Sequence, residues 1–62
     1  LNTLEIDLAG IEYLDSSALG MLMLMRERAG VAGKKVELAR PGSTIAQILD
    51  IANFNKLFTI IK

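Results

Sequence analysis

The hydrophobic pattern of the chain switches between a period of two and a helical period, and each switch predicts an element. Thr3-Leu4-Glu5-Ile6-Asp7-Leu8 alternates polar and apolar positions, which places Leu4, Ile6 and Leu8 on one face. That is the pattern of a half-buried strand. Ala9-Gly10 loosens it, and Ile11-Glu12-Tyr13-Leu14 carries the chain to Asp15. Ser16 to about Gly30 or Ala32 reads as a helix, because Leu, Met, Ala, Arg and Glu are all good helix formers. Its apolar residues follow two sets of helical spacings, Leu19-Leu22-Met23 and Ala18-Met21-Leu24-Met25. Such a stripe is too wide for a helix with one wet side, so the helix is buried on most sides or offers apolar surface to a partner. Arg26-Glu27-Arg28 reads as a solvated helix end, with basic residues that suit the negative C-terminal pole. Gly30 and Gly33 are the expected stop.

The second half repeats the alternation. Lys34 to Ala39 is a strand with Val36 and Leu38 on its buried face, and Arg40-Pro41-Gly42-Ser43 is the following loop. Thr44 and Gln47 have the spacing of a capping box. Ile45, Ile48, Leu49 and Ala52 then line one face of a short second helix, which Asn53 can close in the left-handed conformation. Phe54 and Leu57 are expected to pack back on the core, and Leu57 to Ile61 to form a third strand. Both connections are long enough to be crossovers. Strand–helix–strand–helix–strand therefore predicts an α/β fold with parallel strands and both helices on one face of the sheet. The other face lacks a cover unless further elements or a partner supply one.

Composition narrows the function more than the fold. With 62 residues, the chain makes one domain at most and is marginal without help. It has no Cys and no His, which removes disulfides and the usual metal ligands. Seven basic and seven acidic residues balance to zero, with no basic stripe and only three aromatic rings, which disfavours nucleic acid. The longest apolar run, Ala18 to Met25, falls far short of the roughly 20 residues that span a bilayer. Absence of Cys fits a reducing, cytoplasmic setting. An apolar content of 52% without net charge favours association, and self-association of the chain is expected.

The chemistry concentrates at Asp15-Ser16-Ser17, where a polar hinge opens the apolar helix. Asp15 and Ser16 suit helix capping, since a side-chain oxygen there accepts from a free N–H of the first turn. A hydroxyl at the same place is also suited to carry a phosphate, which the positive helix end would stabilise. A serine nucleophile would need a base, normally His, and the residues around Ser16 miss the Gly-x-Ser-x-Gly elbow. The glycines form no phosphate-binding loop, and Asp7, Asp15 and Asp50 do not have metal-site spacing. No catalytic, metal or cofactor site is therefore expected, and the chain does not read as an enzyme. Met21, Met23 and Met25 suit either core filling or an adaptable binding surface.

Asp15-Ser16-Ser17-Ala18-Leu19-Gly20, after a strand and before an apolar helix, resembles the Asp-Ser-[Ser/Thr]-[Gly/Ala]-Leu-Gly motif of STAS domains. Gly33 to Leu38 looks like the family's next strand and Ile45 to Asn53 like its following helix. Ile48 to Phe54, followed by Leu57 to Ile60, looks like its ending. The resemblance implies that residues 1–62 are the C-terminal part of a single STAS domain whose first strands and first helix precede Leu1. For the bacterial anti-sigma factor antagonists of the family, it implies a switch. The unphosphorylated protein sequesters an anti-sigma factor that is also a serine kinase; phosphorylation dissolves the complex, and a serine phosphatase resets it. Carried over, Ser16 is the phosphoacceptor, and Asp15, Ser16, Ser17, Leu19, Gly20, Met21 and Met25 form the partner-binding surface. The family also holds non-switching members: tails of anion transporters, scaffold subunits of stress-signalling complexes and subunits of a lipid-transport machine.

Overall fold

A computed structural model describes residues 2–62. The order is strand β1 (Thr3–Asp7), helix α1 (Ser16–Val31), strand β2 (Lys35–Ala39), helix α2 (Ser43–Ile51), a 3-10 turn (Phe54–Lys56) and strand β3 (Thr59–Ile61). The sheet order is β1-β2-β3, and both pairs are parallel. The ladder runs past the strand ends: Lys35 N–H donates to Asn2 O at 2.7 Å, and Arg40 N–H to Ile61 O at 2.7 Å.

Register explains the core. Ile6 pairs with Leu38, and Leu38 with Ile60, so one apolar row crosses the sheet on a single face. Leu8, Val36 and Leu38 join Leu22 and Ala29 of α1 and Ile45 and Leu49 of α2 in one buried cluster. Both helices therefore cover the same face. The opposite face is mostly polar, with Thr3, Glu5, Asp7, Lys35, Glu37 and Thr59, and carries Ala39 and Ile61 at its far end. Glu5 lies directly across from Glu37, a like-charge pair that would weaken the ladder. Arg40 offsets it. Its backbone is left-handed, with φ 53°, and its guanidinium pairs with Asp7 at 2.8 Å and Glu5 at 3.5 Å.

Two helix ends and the start of β3 differ from expectation. Gly30 lies within α1, and the stop is Gly33 alone, at φ +74°. Gly33 N–H donates to Gly30 O and Lys34 N–H to Ala29 O, the two bonds of a Schellman motif, which demands a left-handed residue at Gly33. The Thr44–Gln47 capping box does not form. Helix α2 starts two residues earlier, from Gly42, with no side-chain cap, its first bond running from Ala46 N–H to Gly42 O. Asn53 does adopt the left-handed conformation, at φ 61°. It launches the 3-10 turn, in which Leu57 N–H and Phe58 N–H both return to Phe54 O. That turn delays β3 to Thr59 and reverses the expected burial: Leu57 is 39% exposed while Phe58 is buried. Phe58 stacks on Phe54 with ring centroids 5.3 Å apart.

Candidate functional site

The loop before α1 is held by two hydrogen bonds at its start and by a buried side chain at its end. Asp7 accepts from Ala9 N–H at 2.9 Å, and Ile11 N–H donates to Leu8 O across a turn whose Gly10 has φ 83°. Glycine takes that angle without steric cost. Leu14 is then buried and anchors the approach to the helix.

Each motif residue has its own place. Asp15 is the N-cap: its carboxylate accepts from Ala18 N–H at 2.8 Å, while its carbonyl accepts from Leu19 N–H at 3.0 Å. Leu14 and Leu19 occupy the two positions of a hydrophobic staple, and both belong to the same apolar core. Leu19 is half-buried there, which fits a residue that helps set the helix entry angle. Capping therefore falls to Asp15 alone. Ser16 and Ser17 stand exposed in the first turn, and neither hydroxyl has a hydrogen-bond partner among the described residues. Their own N–H groups lie too early in the helix to find an intrahelical acceptor. Beside the Ser16 hydroxyl the molecule thus offers two free donors and one carboxylate.

Helical spacing sorts the rest of the surface into two lanes. Ser16, Gly20 and Met23 follow one, at i, i+4 and i+7; Ser17, Met21, Leu24 and Arg28 follow the other, with Met25 beside Met21. Met21 is 65% exposed, Leu24 46% and Met25 43%. The core takes Leu22 and Ala29 from this helix, with Ala18 and Leu19 at its margin, and leaves the methionines outside. Leu24 was not among the expected surface residues, although its i+3 spacing from Met21 is the signal that adds it. Arg26 is exposed, as expected of a solvated helix end, and also donates from Nε to Leu57 O at 2.8 Å, which ties α1 to the chain before β3.

Two surface grooves, of about 1020 and 600 Å3, lie away from the motif, and no motif residue lines either. The arrangement at the start of α1 suits recognition by a protein surface better than enclosure of a small molecule. Among the described residues, no helix is long and apolar enough to cross a membrane.

Comparison with known proteins agrees with this architecture. A family model described as "Mlab, STAS domain" matches residues 2–61. A curated STAS-domain containing protein of Pseudomonas aeruginosa (strain UCBPP-PA14) is 47% identical over 55 residues, covering 89% of this chain and 54% of the relative. The chain thus spans about half the length of the curated relative it matches. No solved structure matches at a significant level. With a family match running nearly from end to end, and a motif placed between parallel strand and apolar helix, the chain belongs to the STAS domain family.

Proposed function

We propose that the chain is the C-terminal part of a phosphorylation-switched binding module of the anti-sigma factor antagonist type, cytoplasmic and without enzymatic activity of its own. Its partners are an anti-sigma factor that doubles as a serine kinase and a phosphatase that reverses the modification. Ser16 is the phosphoacceptor. The observation that carries this reading is the division of labour at the hinge: Asp15 caps the helix, and the exposed Ser16 hydroxyl keeps no structural duty. A kinase can reach such a hydroxyl without unfolding the helix start.

The effect of the phosphate follows from charge. It adds about −1.5 to −2 at one point. The free N–H groups of the first turn favour it, but the Asp15 carboxylate stands beside it and repels it. Residues 1–25 hold no Lys or Arg, so the segment that carries the helix start supplies no cation to the new charge. Phosphorylation therefore turns an apolar docking surface with a polar tip into one headed by a dense negative charge, and a partner fitted to the first form dissociates.

The test is binding of the cognate anti-sigma factor kinase to the parent, Ser16→Asp and Ser16→Ala, with mass spectrometry of the native protein for phosphate on Ser16. Ser16→Asp weakens the complex at least tenfold; Ser16→Ala binds like the parent and is not released by ATP. Equal binding and equal ATP response of all three forms would sink the switch and leave a non-switching scaffold role, such as a transporter tail, a stress-complex subunit or a lipid-transport subunit.

A further inference from the structure

We infer that Met21 and Met25 are sites of reversible oxidation by peroxide, and that their sulfoxides switch off the docking strip on α1 independently of Ser16. This inference rests on the docking role proposed above for that strip. All three methionines of the chain fall within five residues, Met21 to Met25, and none is in the core. Met21 is the most exposed of them, followed by Met25 and then Met23. Met21 and Met25 are one helical turn apart and flank Leu24, so their thioethers form the middle of the strip. Among the described residues, the core excludes all three methionines.

The chemistry needs only the thioether and the oxidant. The sulfur attacks the peroxide oxygen, the O–O bond breaks, and an S–O bond forms. Sulfur loses two electrons, and the peroxide is reduced to water. The product is a polar, chiral side chain that holds water through its oxygen. A partner must strip that water to make the contact an apolar Met made before. Burial of one Met side chain is worth enough that losing it costs on the order of tenfold in affinity. Helix α1 itself should survive, since the modified groups lie outside the core. Methionine sulfoxide reductases return the thioether, so the change is reversible.

The experiment treats the protein with hydrogen peroxide, maps added oxygen by peptide mass spectrometry, and measures binding to the same anti-sigma factor kinase. The expected result is oxidation in the order Met21, Met25, Met23, unchanged circular dichroism, and a loss of affinity of at least tenfold, restored by the reductases. A Met21→Leu, Met25→Leu double variant, whatever its starting affinity, loses none of it on peroxide treatment. Protection of Met21 and Met25 in the preformed complex adds independent support. Full sulfoxidation with unchanged binding overturns this inference while leaving the docking role standing. Failure of the unoxidised protein to bind the kinase overturns the docking role and this inference with it.

Discussion

At the residue scale, the hinge separates two roles that helix starts usually combine. Asp15 holds the N–H of Ala18, so Asp15→Ala should destabilise the fold by about 1 kcal/mol. Ser16 makes no comparable bond, so Ser16→Ala should stay within about 0.5 kcal/mol of the parent. Urea unfolding of both variants decides the matter: equal losses would mean that Ser16 also serves as a cap. A second residue-scale prediction concerns Arg40. Its hydrogen bond to Asp7, then the Ala9 N–H, hold the Asp7 carboxyl below its ordinary 3.8. The native state thus keeps this charge to lower pH than the unfolded chain does. The resulting stabilisation is in place above pH 3.8 and fades as pH falls through the lower native value. An NMR titration of the Asp7 carboxyl should show its midpoint rise toward 3.8 in Arg40→Ala. The pair is exposed, so added salt should shrink the difference.

At the element scale, two glycines of the α1 region have opposite meanings. Gly33 closes the helix at φ +74°, where any side chain is strained, and Gly33→Ala should cost about 1–2 kcal/mol. Gly20 lies within the helix, and beyond its chain neighbours and the helix's own backbone no atom comes within 4 Å of where a Cβ would stand. Gly20→Ala should therefore stabilise the fold by up to about 1 kcal/mol. The same methyl would stand in the lane between Ser16 and Met23, and a close-fitting partner should bind Gly20→Ala more weakly. Thermal melts and binding measured on the same samples would separate the two effects. A variant that gains stability and loses no affinity would show that the partner does not approach α1 at Gly20. The open surface of α1 also accounts for its almost uniform apolar character. Leu22 and Ala29 are buried in the core and Ala18 and Leu19 pack at its margin, while Met21, Met23, Leu24, Met25 and Val31 stay exposed among the described residues.

At the scale of the whole molecule, a three-stranded sheet covered on one face is a small core. Leu38 and Leu49 are completely buried at its centre. Replacing either with Ala should cost about 2–5 kcal/mol. A domain of this size seldom holds more than about 3–5 kcal/mol. Leu38→Ala should therefore abolish cooperative unfolding of the isolated 62-residue chain, as read by circular dichroism during a urea titration. The isolated chain should also associate, because β1 pairs on one side only among the described residues and α1 exposes its methionines. Sedimentation at increasing concentration tests this, and a stable monomer at all concentrations would count against it.

The sequence by itself determined the order of elements, the parallel sheet and the placement of the motif. Those rest on local quantities: alternation in Thr3–Leu8, helical spacing after Ser16, and the contrast between the two. It also bounded the chemistry, since a chain without His or Cys offers few routes to catalysis or metal binding. What it left open depended on which of several suitable groups meet in space. Asp15 and Ser16 are both good caps, and the backbone presented the Ala18 N–H to the carboxylate. Thr44 and Gln47 had the right spacing, but α2 began at Ser43 and left the box unused. Leu57 and Phe58 are equally apolar neighbours, and the turn after Asn53 chose Phe58 for the core. Arg40 gave no signal along the chain, because its partners Glu5 and Asp7 lie more than thirty residues away and become neighbours only through strand pairing. The same holds for the methionines of α1. Their spacing allowed core or surface, and the sheet, by burying Leu22 and Ala29 and stopping there, left them outside.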